Sequence, residues 1–294
     1  MSPPTWLYWP AASAAWEPSD LTSLRAWYDA DDAATIFDAT TGGSLPSSGS
    51  DVARWEDKSG GGYHVTQATA ANRPHYVTNT LNGKPVIECT AQWLTASTAS
   101  DWNFLHNTTG STVVAVWKAG TSADPNAPYA LLGTTNDGGG SIGLQITYDD
   151  RANLGRNDTF RSVIGRGGTP LVVNNFTGNG GLPANTPAIV TVTSDPGSAT
   201  AASRSGLRVN GAAAAELNTA TGTASTSNAS FPLALGSAGS DRLPLVGYIA
   251  EVVIANAKLS DADRQRLEGY LAHKWGLEGN LQSGHPYKSA PPTV

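Results

Sequence analysis

Cysteine is all but missing from this sequence: Cys89 is the only one among 294 residues. No internal disulfide can form, nothing requires oxidising export, and the chain must be held by a core of its own. Charge is scarce too. Asp, Glu, Lys and Arg make up 14% of the residues, the net charge is −6, and no cluster of Lys and Arg interrupts the spread. That excludes a surface made to neutralise phosphates, so no nucleic-acid partner is expected. No run of 18 apolar residues occurs, so neither a membrane-spanning helix nor membrane insertion is expected. Met1–Pro10 lacks the basic stretch that opens a secretory signal. Heptads and fixed-period repeats are missing, which excludes a coiled-coil stalk and a solenoid.

Several catalytic spacings are absent as well. His64, His75, His106, His273 and His285 are scattered, with no His-x-His or His-Glu-x-x-His for a transition metal. Gly138-Gly139-Gly140 leads into a strand pattern, not the helix start that phosphate loops use. Gly-x-Ser-x-Gly does not occur, and Cys89 sits in an apolar run as a small core residue. The Asn-x-Ser/Thr triplets at Asn107, Asn157, Asn175 and Asn228 are those a Thr-rich chain contains by chance.

What the chain does have is turns and short apolar runs. It carries 32 Gly and 18 Pro. Strand patterns recur at Leu24–Asp29, Ser111–Lys118, Ala130–Gly133, Ile142–Tyr148, Arg161–Ile164, Thr186–Thr193 and Gly206–Val209. Asn82-Gly83 and Asn210-Gly211 are tight hairpin signals. Strands so spaced predict an all-β sandwich. The stretch Leu243–Lys288 organises the rest: an apolar, β-branched final strand from Val246 to Ile254, then one short helix. Ser260 with Asp263 three residues on is an N-cap signal, and Gly276 after Trp275 is a stop signal. Leu267, Tyr270, Leu271 and Lys274 form its inward stripe.

Four segments carry a family resemblance. They are Leu24-Arg25-Ala26-Trp27-Tyr28-Asp29, Arg54-Trp55-Glu56-Asp57-Lys58-Ser59-Gly60 (completed by residues 72–76 and 81–87), the final strand over residues 247–254 with the Leu259-Ser260 joint, and Glu268-Gly269-Tyr270-Leu271-Ala272-His273-Lys274-Trp275-Gly276-Leu277 with the tail Gly284-His285-Pro286-Tyr287. Together they resemble laminin-G-like (concanavalin A-like) lectin domains of the kind found in bacteriophage head decoration and tail proteins. The resemblance implies a jelly-roll β-sandwich with one short C-terminal helix, as a single domain over residues 21–294 behind an N-terminal arm, residues 1–20. It further implies a virion surface protein, assembled in the host cytoplasm, whose partners are other virion proteins, copies of itself and host-surface glycans. Head decoration and tail adhesin are both open readings.

Retaining hydrolases of this architecture place acids on alternate residues of one strand, as Glu-x-Asp-x-x-Glu, so that both share a face. The spacing does not occur, so the expectation is a protein that is not an enzyme. A glycoside hydrolase with its acids on distant loops is the remaining alternative.

Relatives often hold Ca²⁺ at the sandwich rim, and calcium takes six to eight oxygens. Asp29 and Asp31 (with Asp32), and Asp149 and Asp150 (with Asn153), are the clusters for such a structural ion; Asp241 is a further acid. Trp6, Tyr8, Trp9 and Trp16 either pack on their own sandwich or form an arm that docks on a neighbouring subunit. Trp102, in loop-like sequence, is the candidate for stacking a sugar ring.

Overall fold

The computed structural model describes residues 14–120, 127–135, 140–218 and 220–294. Trp6, Tyr8, Trp9, Gly138 and Gly139 lie outside the described residues. The predicted strands form two antiparallel sheets that face one another as a sandwich. One sheet runs Ala212–Ala213, Ser205–Val209, Ala188–Ser194, Ser111–Ala119, Val246–Ala255, Lys84–Thr90, His75–Leu81 and Ser50–Asp51. Leu24–Asp29 lies beside the second half of Val246–Ala255. The other sheet runs Glu216–Asn218, Val173–Thr177, Thr159–Arg166, Ile142–Asp149, Tyr129–Gly133, Ala234–Leu235, Leu94–Thr95, Val65–Thr66, Arg54–Trp55 and Ile36–Phe37. The all-β sandwich with one C-terminal helix is thus the observed fold.

The helix, Asp261–Trp275, lies across the first sheet, against Ser111–Ala119 and Ala188–Ser194. This explains why Val113–Trp117 is apolar without alternation: one face meets the core between the sheets and the other meets the helix. Ser260 accepts the Asp263 N–H at 3.1 Å, and Gly276 closes the helix in the left-handed region with φ +66°. The inward stripe is more polar than its spacing predicts. Leu267, Leu271 and Trp275 are buried as expected, but so are Arg264 and Glu268. Glu268 accepts hydrogen bonds from Thr191 and Arg264 and pairs with His285 of the C-terminal tail.

Asn82 and Gly83, with φ +50° and +84°, form the two-residue hairpin turn between His75–Leu81 and Lys84–Thr90. The Asn82 amide also donates to the carbonyls of Trp275 and Gly276 at 2.6 and 3.1 Å. One turn residue therefore also caps the end of the helix. One strand that the pattern does not predict, Val173–Thr177, completes the second sheet between Thr159–Arg166 and Glu216–Asn218. Its Asn174-Asn175 pair has low strand propensity, and tertiary pairing overrides it.

Candidate functional site

The signature segments converge under the helix. Asp29 and Glu251 stand directly opposite across an antiparallel pair, an arrangement that repels unless a cation intervenes. Lys274 supplies it, with Nζ 2.6 Å from Asp29 Oδ2 and 2.8 Å from Glu251 Oε2. Lys58 adds a second ammonium, 2.8 Å from both Asp29 and Asp32. The indole N–H groups of Trp27 and Trp275 each donate to one oxygen of Glu251 at 2.7 Å. Asp57 holds the neighbouring turn by accepting the N–H groups of Trp27, Ser59 and Tyr63. Burial, with Asp29 beside it, pushes Glu251 up to about 7 against the pull of Lys274 and Trp275. Glu251 has 0% exposure and Asp29 3%, so the two carboxylates at the centre of this cluster brace the fold.

The calcium candidates are already neutralised by side-chain cations. Asp29 and Asp32 are held as described, and Asp31 pairs with Lys84. Asp149 is clamped by Arg151 through Nε and Nη2 at 2.7 and 2.8 Å, with Arg156 on its second oxygen. Asp150 accepts the Asp158 N–H at 3.4 Å. Among the described residues no group of three or more His, Cys, Asp or Glu gathers to hold a metal. Asp29, Asp31 and Asp149, three of the four candidates for a rim calcium, are each paired with a side-chain cation.

Of the aromatic candidates, Trp16 and Trp102 belong to the described residues, and both are buried. Trp102 has 0% exposure; it sits in the short helical segment Ser100–Leu105 against Tyr63, with ring centroids 5.6 Å apart. No face of it is open to a sugar. Trp16 is buried edge-on to Tyr270 at 6.2 Å, and its N–H donates to the Pro292 carbonyl. It therefore packs on its own sandwich. Cys89 is buried too, its thiol pushed up to about 12 by burial and by Glu88, so it is a core residue and not a nucleophile.

Two adjoining open concavities lie elsewhere, at the rim where the second sheet meets the edge of the first. A cleft of about 320 Å³ is lined by Leu154, Arg156, Thr159, Phe176 and Asn179 among others. A second, of about 350 Å³, lies across Thr177–Asn179 and is walled by Val209 and the small residues Ala212–Ala215. Asn179 shapes the divide, accepting the Asn157 N–H and donating to the Gly155 carbonyl. Leu154 is 54% exposed, one of few large apolar side chains so open. The Arg156 guanidinium lies over the Phe176 ring, 5.0 Å from its centroid. Thr159 and Asp149 are cross-strand partners, as are Arg161 and Phe176, so these side chains share the outer face of the sheet. Arg151 and Arg156 are partly open, at 19% and 17%. Burial raises Asp149, but Arg151 and Arg156 outweigh it and hold the carboxyl below its usual range.

On the inner side of the same strand ends, the Tyr148 hydroxyl donates to Asp158 at 2.5 Å. Burial and the acids Asp158 and Asp150 raise the phenol well above its usual range. None of the cleft residues was indicated by motif. Arg151, Arg156 and Arg161 are five residues apart and form no basic run, and Phe176 belongs to the strand that the pattern misses. The available signal was the alternation of Asn174 and Phe176 on one face.

No family model matches the sequence, and no curated protein matches it. Solved structures do. A sialidase of Trypanosoma rangeli, in complex with 2,3-difluoro-KDN, is similar over 87% of this chain with a TM-score of 0.50 and 15% identity. The chain spans about a third of that sialidase, 33% of its length. Domain 4 of AbnA, a GH43 extracellular arabinanase of Geobacillus stearothermophilus in complex with arabinotriose, is similar over 84% of this chain and 98% of its own, with TM-score 0.49 and 15% identity. The CBM40 of a Ruminococcus gnavus IT-sialidase, bound to α2,3 sialyllactose, is similar over 60% and 93%, with TM-score 0.44 and 16% identity.

At such identities the likeness is one of fold. It corrects one expectation outright. The missing Glu-x-Asp-x-x-Glu pointed away from an enzyme, yet the sandwich is similar in fold to part of a sialidase. The absence of one strand-borne spacing therefore does not exclude catalysis.

Proposed function

We propose that the chain is a carbohydrate-binding sandwich that takes a saccharide in the rim cleft between residues 154–156 and 176–179. The observation that carries this reading is the cleft itself. It joins an exposed aliphatic side chain, a half-buried aromatic ring crossed by a guanidinium, and Asn and Thr side chains in one concavity. Sugars need that mixture, because one face of a pyranose is apolar while its hydroxyls require directed hydrogen bonds. The fold shared with the Trypanosoma rangeli sialidase supports it. The resemblance to lectin-like virion domains supports a particle surface as the setting, with head decoration and tail adhesion as the two uses.

The test is an oligosaccharide array followed by titration calorimetry of the strongest binder. Replacement of Phe176 by Ala should weaken that binder about tenfold while the thermal transition moves little. No retained oligosaccharide, or affinity unchanged in Phe176→Ala, would overturn the cleft.

Hydrolysis is the second reading, favoured by the meeting of Asp150, Asp158 and the Tyr148 hydroxyl at the same strand ends. Release of reducing ends from a bound polysaccharide, lost in Asp158→Asn, would establish it. Binding without release, under conditions where the array ligand saturates the protein, would sink it.

A further inference from the structure

We propose that the rim cleft selects saccharides that carry carboxylate groups, with Arg161 and Arg156 as the groups that hold the acid; this rests on the carbohydrate reading above. The overall charge of the chain is −6, yet the outer face beside the cleft is built around cations. Arg151, Arg156 and Arg161 surround a single carboxylate, Asp149, whose oxygens are already engaged by the first two. Among the described residues Arg161 has no carboxylate partner. Its Nε and Nη2 converge on one neutral oxygen, Asn174 Oδ1, at 3.1 and 2.7 Å.

The other acids nearby are turned away. Asp158 accepts from the Tyr148 hydroxyl and from the Ala184 N–H, and Asp150 from the Asp158 N–H. Tyr148 pairs across the ladder with Phe160, and Thr147 with Arg161, so the two sets of side chains lie on opposite faces. The surplus of positive charge on the outer face is therefore real. Burial first, then Arg156 and Arg151, lower Arg161 to about 10 against the opposing pull of Asp149. An arginine remains charged at any working pH, so Arg161 stays a cation on this face.

Two more observations point to a missing partner. Thr147 Oγ1 and Gln145 Nε2 are buried without a hydrogen-bond partner, and both belong to the face that carries Arg161. Orphaned polar atoms of this kind are uncommon and call for a ligand or water. Phe176, directly across the ladder from Arg161, places an apolar ring next to the cation. A planar fork beside a ring suits a carboxylate attached to a sugar, because the guanidinium can take both oxygens while the ring contacts the sugar face.

The experiment uses the full chain on an array with neutral, carboxylated and sulfated oligosaccharides. Calorimetry then compares the best carboxylated ligand with its neutral methyl ester. The expected result is enrichment of carboxylated members and about tenfold or greater loss on esterification. The loss should shrink as salt is raised. In Arg161→Gln, which can still donate to Asn174, the difference between acid and ester should collapse; Arg156→Gln should reduce it by a smaller factor. Circular dichroism confirms that both variants fold.

If acid and ester bind equally, the acid selection is wrong while carbohydrate binding stands. Preference for sulfated members over carboxylated ones overturns the carboxylate assignment. If only neutral members bind, the surplus charge has another use and the proposal falls. If no member binds, the carbohydrate reading falls with it.

Discussion

Two charged clusters in this molecule use the same chemistry to opposite ends. Under the helix, Asp29, Asp32 and Glu251 meet Lys58 and Lys274, with two indole N–H groups completing the set. Glu251 and Asp29 are buried there and each has a cation partner. At the rim, three guanidiniums meet one carboxylate on a face that remains partly open. A cluster whose groups satisfy one another holds elements together. An open one with a surplus is left to recruit what it lacks. The kind of cation differs accordingly, with compact ammonium groups between opposed carboxylates under the helix and planar forks where an outside acid can still be received.

The comparison can be broken first at its strongest point. Lys274→Ala leaves Asp29 and Glu251 opposed and buried, and should cost about 3–5 kcal/mol, because a buried charge loses its partner. Urea unfolding measures it, and a cost below about 1 kcal/mol would show that the brace is not structural. Asp149→Ala removes the one anion at the rim. Its arginines can turn toward water, so the cost should be smaller, about 1–2 kcal/mol.

The pH dependences should run in opposite directions. Glu251 is raised to about 7 in the folded state, above its unfolded value of about 4.3. Its stabilising contribution is whole below the unfolded value and is lost as pH rises through the folded one. Asp149 is lowered, so its contribution is whole above the unfolded value and is lost as pH falls through the folded one. Glu251→Gln should therefore flatten the stability profile between about pH 5 and 7, and Asp149→Asn should flatten the acid limb. Unfolding midpoints across pH separate the two. The smallest effect on stability should come from Arg161→Gln, under about 1 kcal/mol. If that variant instead unfolds the protein as Lys274→Ala does, Arg161 belongs to the frame and not to the cleft.

Much of the fold was legible because its signals are local. The Ser260 cap, the Gly276 stop and the Asn-Gly turns each fix their own geometry, and alternating or continuous apolar runs mark how many faces of a strand are covered. The signature segments were legible too, but their meaning was not. Trp27, Asp29, Lys58, Glu251 and Lys274 form no pattern at short range; only the folded chain shows that they satisfy one another. The rim escaped for the converse reason. Arg151, Arg156 and Arg161 lie on a turn and a strand end, five apart, and their surplus exists only once Asp149 is seen to be already claimed. Trp102 misled because its neighbours read as loop, whereas loop segments here also pack inward. Reading exposure from flanking sequence fails wherever an aromatic ring is large enough to anchor its own segment.

The strand Val246–Ala255 lies between Ser111–Ala119 on one side and both Lys84–Thr90 and Leu24–Asp29 on the other. The centre of the sheet is thus synthesised after every strand that borders it. A growing chain holds two incomplete half-sheets until residue 255 has left the ribosome, and it cannot seat Glu251 until Lys274 follows. Folding must join segments more than two hundred residues apart, which makes it slow by topology. Until then the unpaired edges of Ser111–Ala119 and Leu24–Asp29 are exposed to other chains, and the cell must keep them apart for the length of one translation.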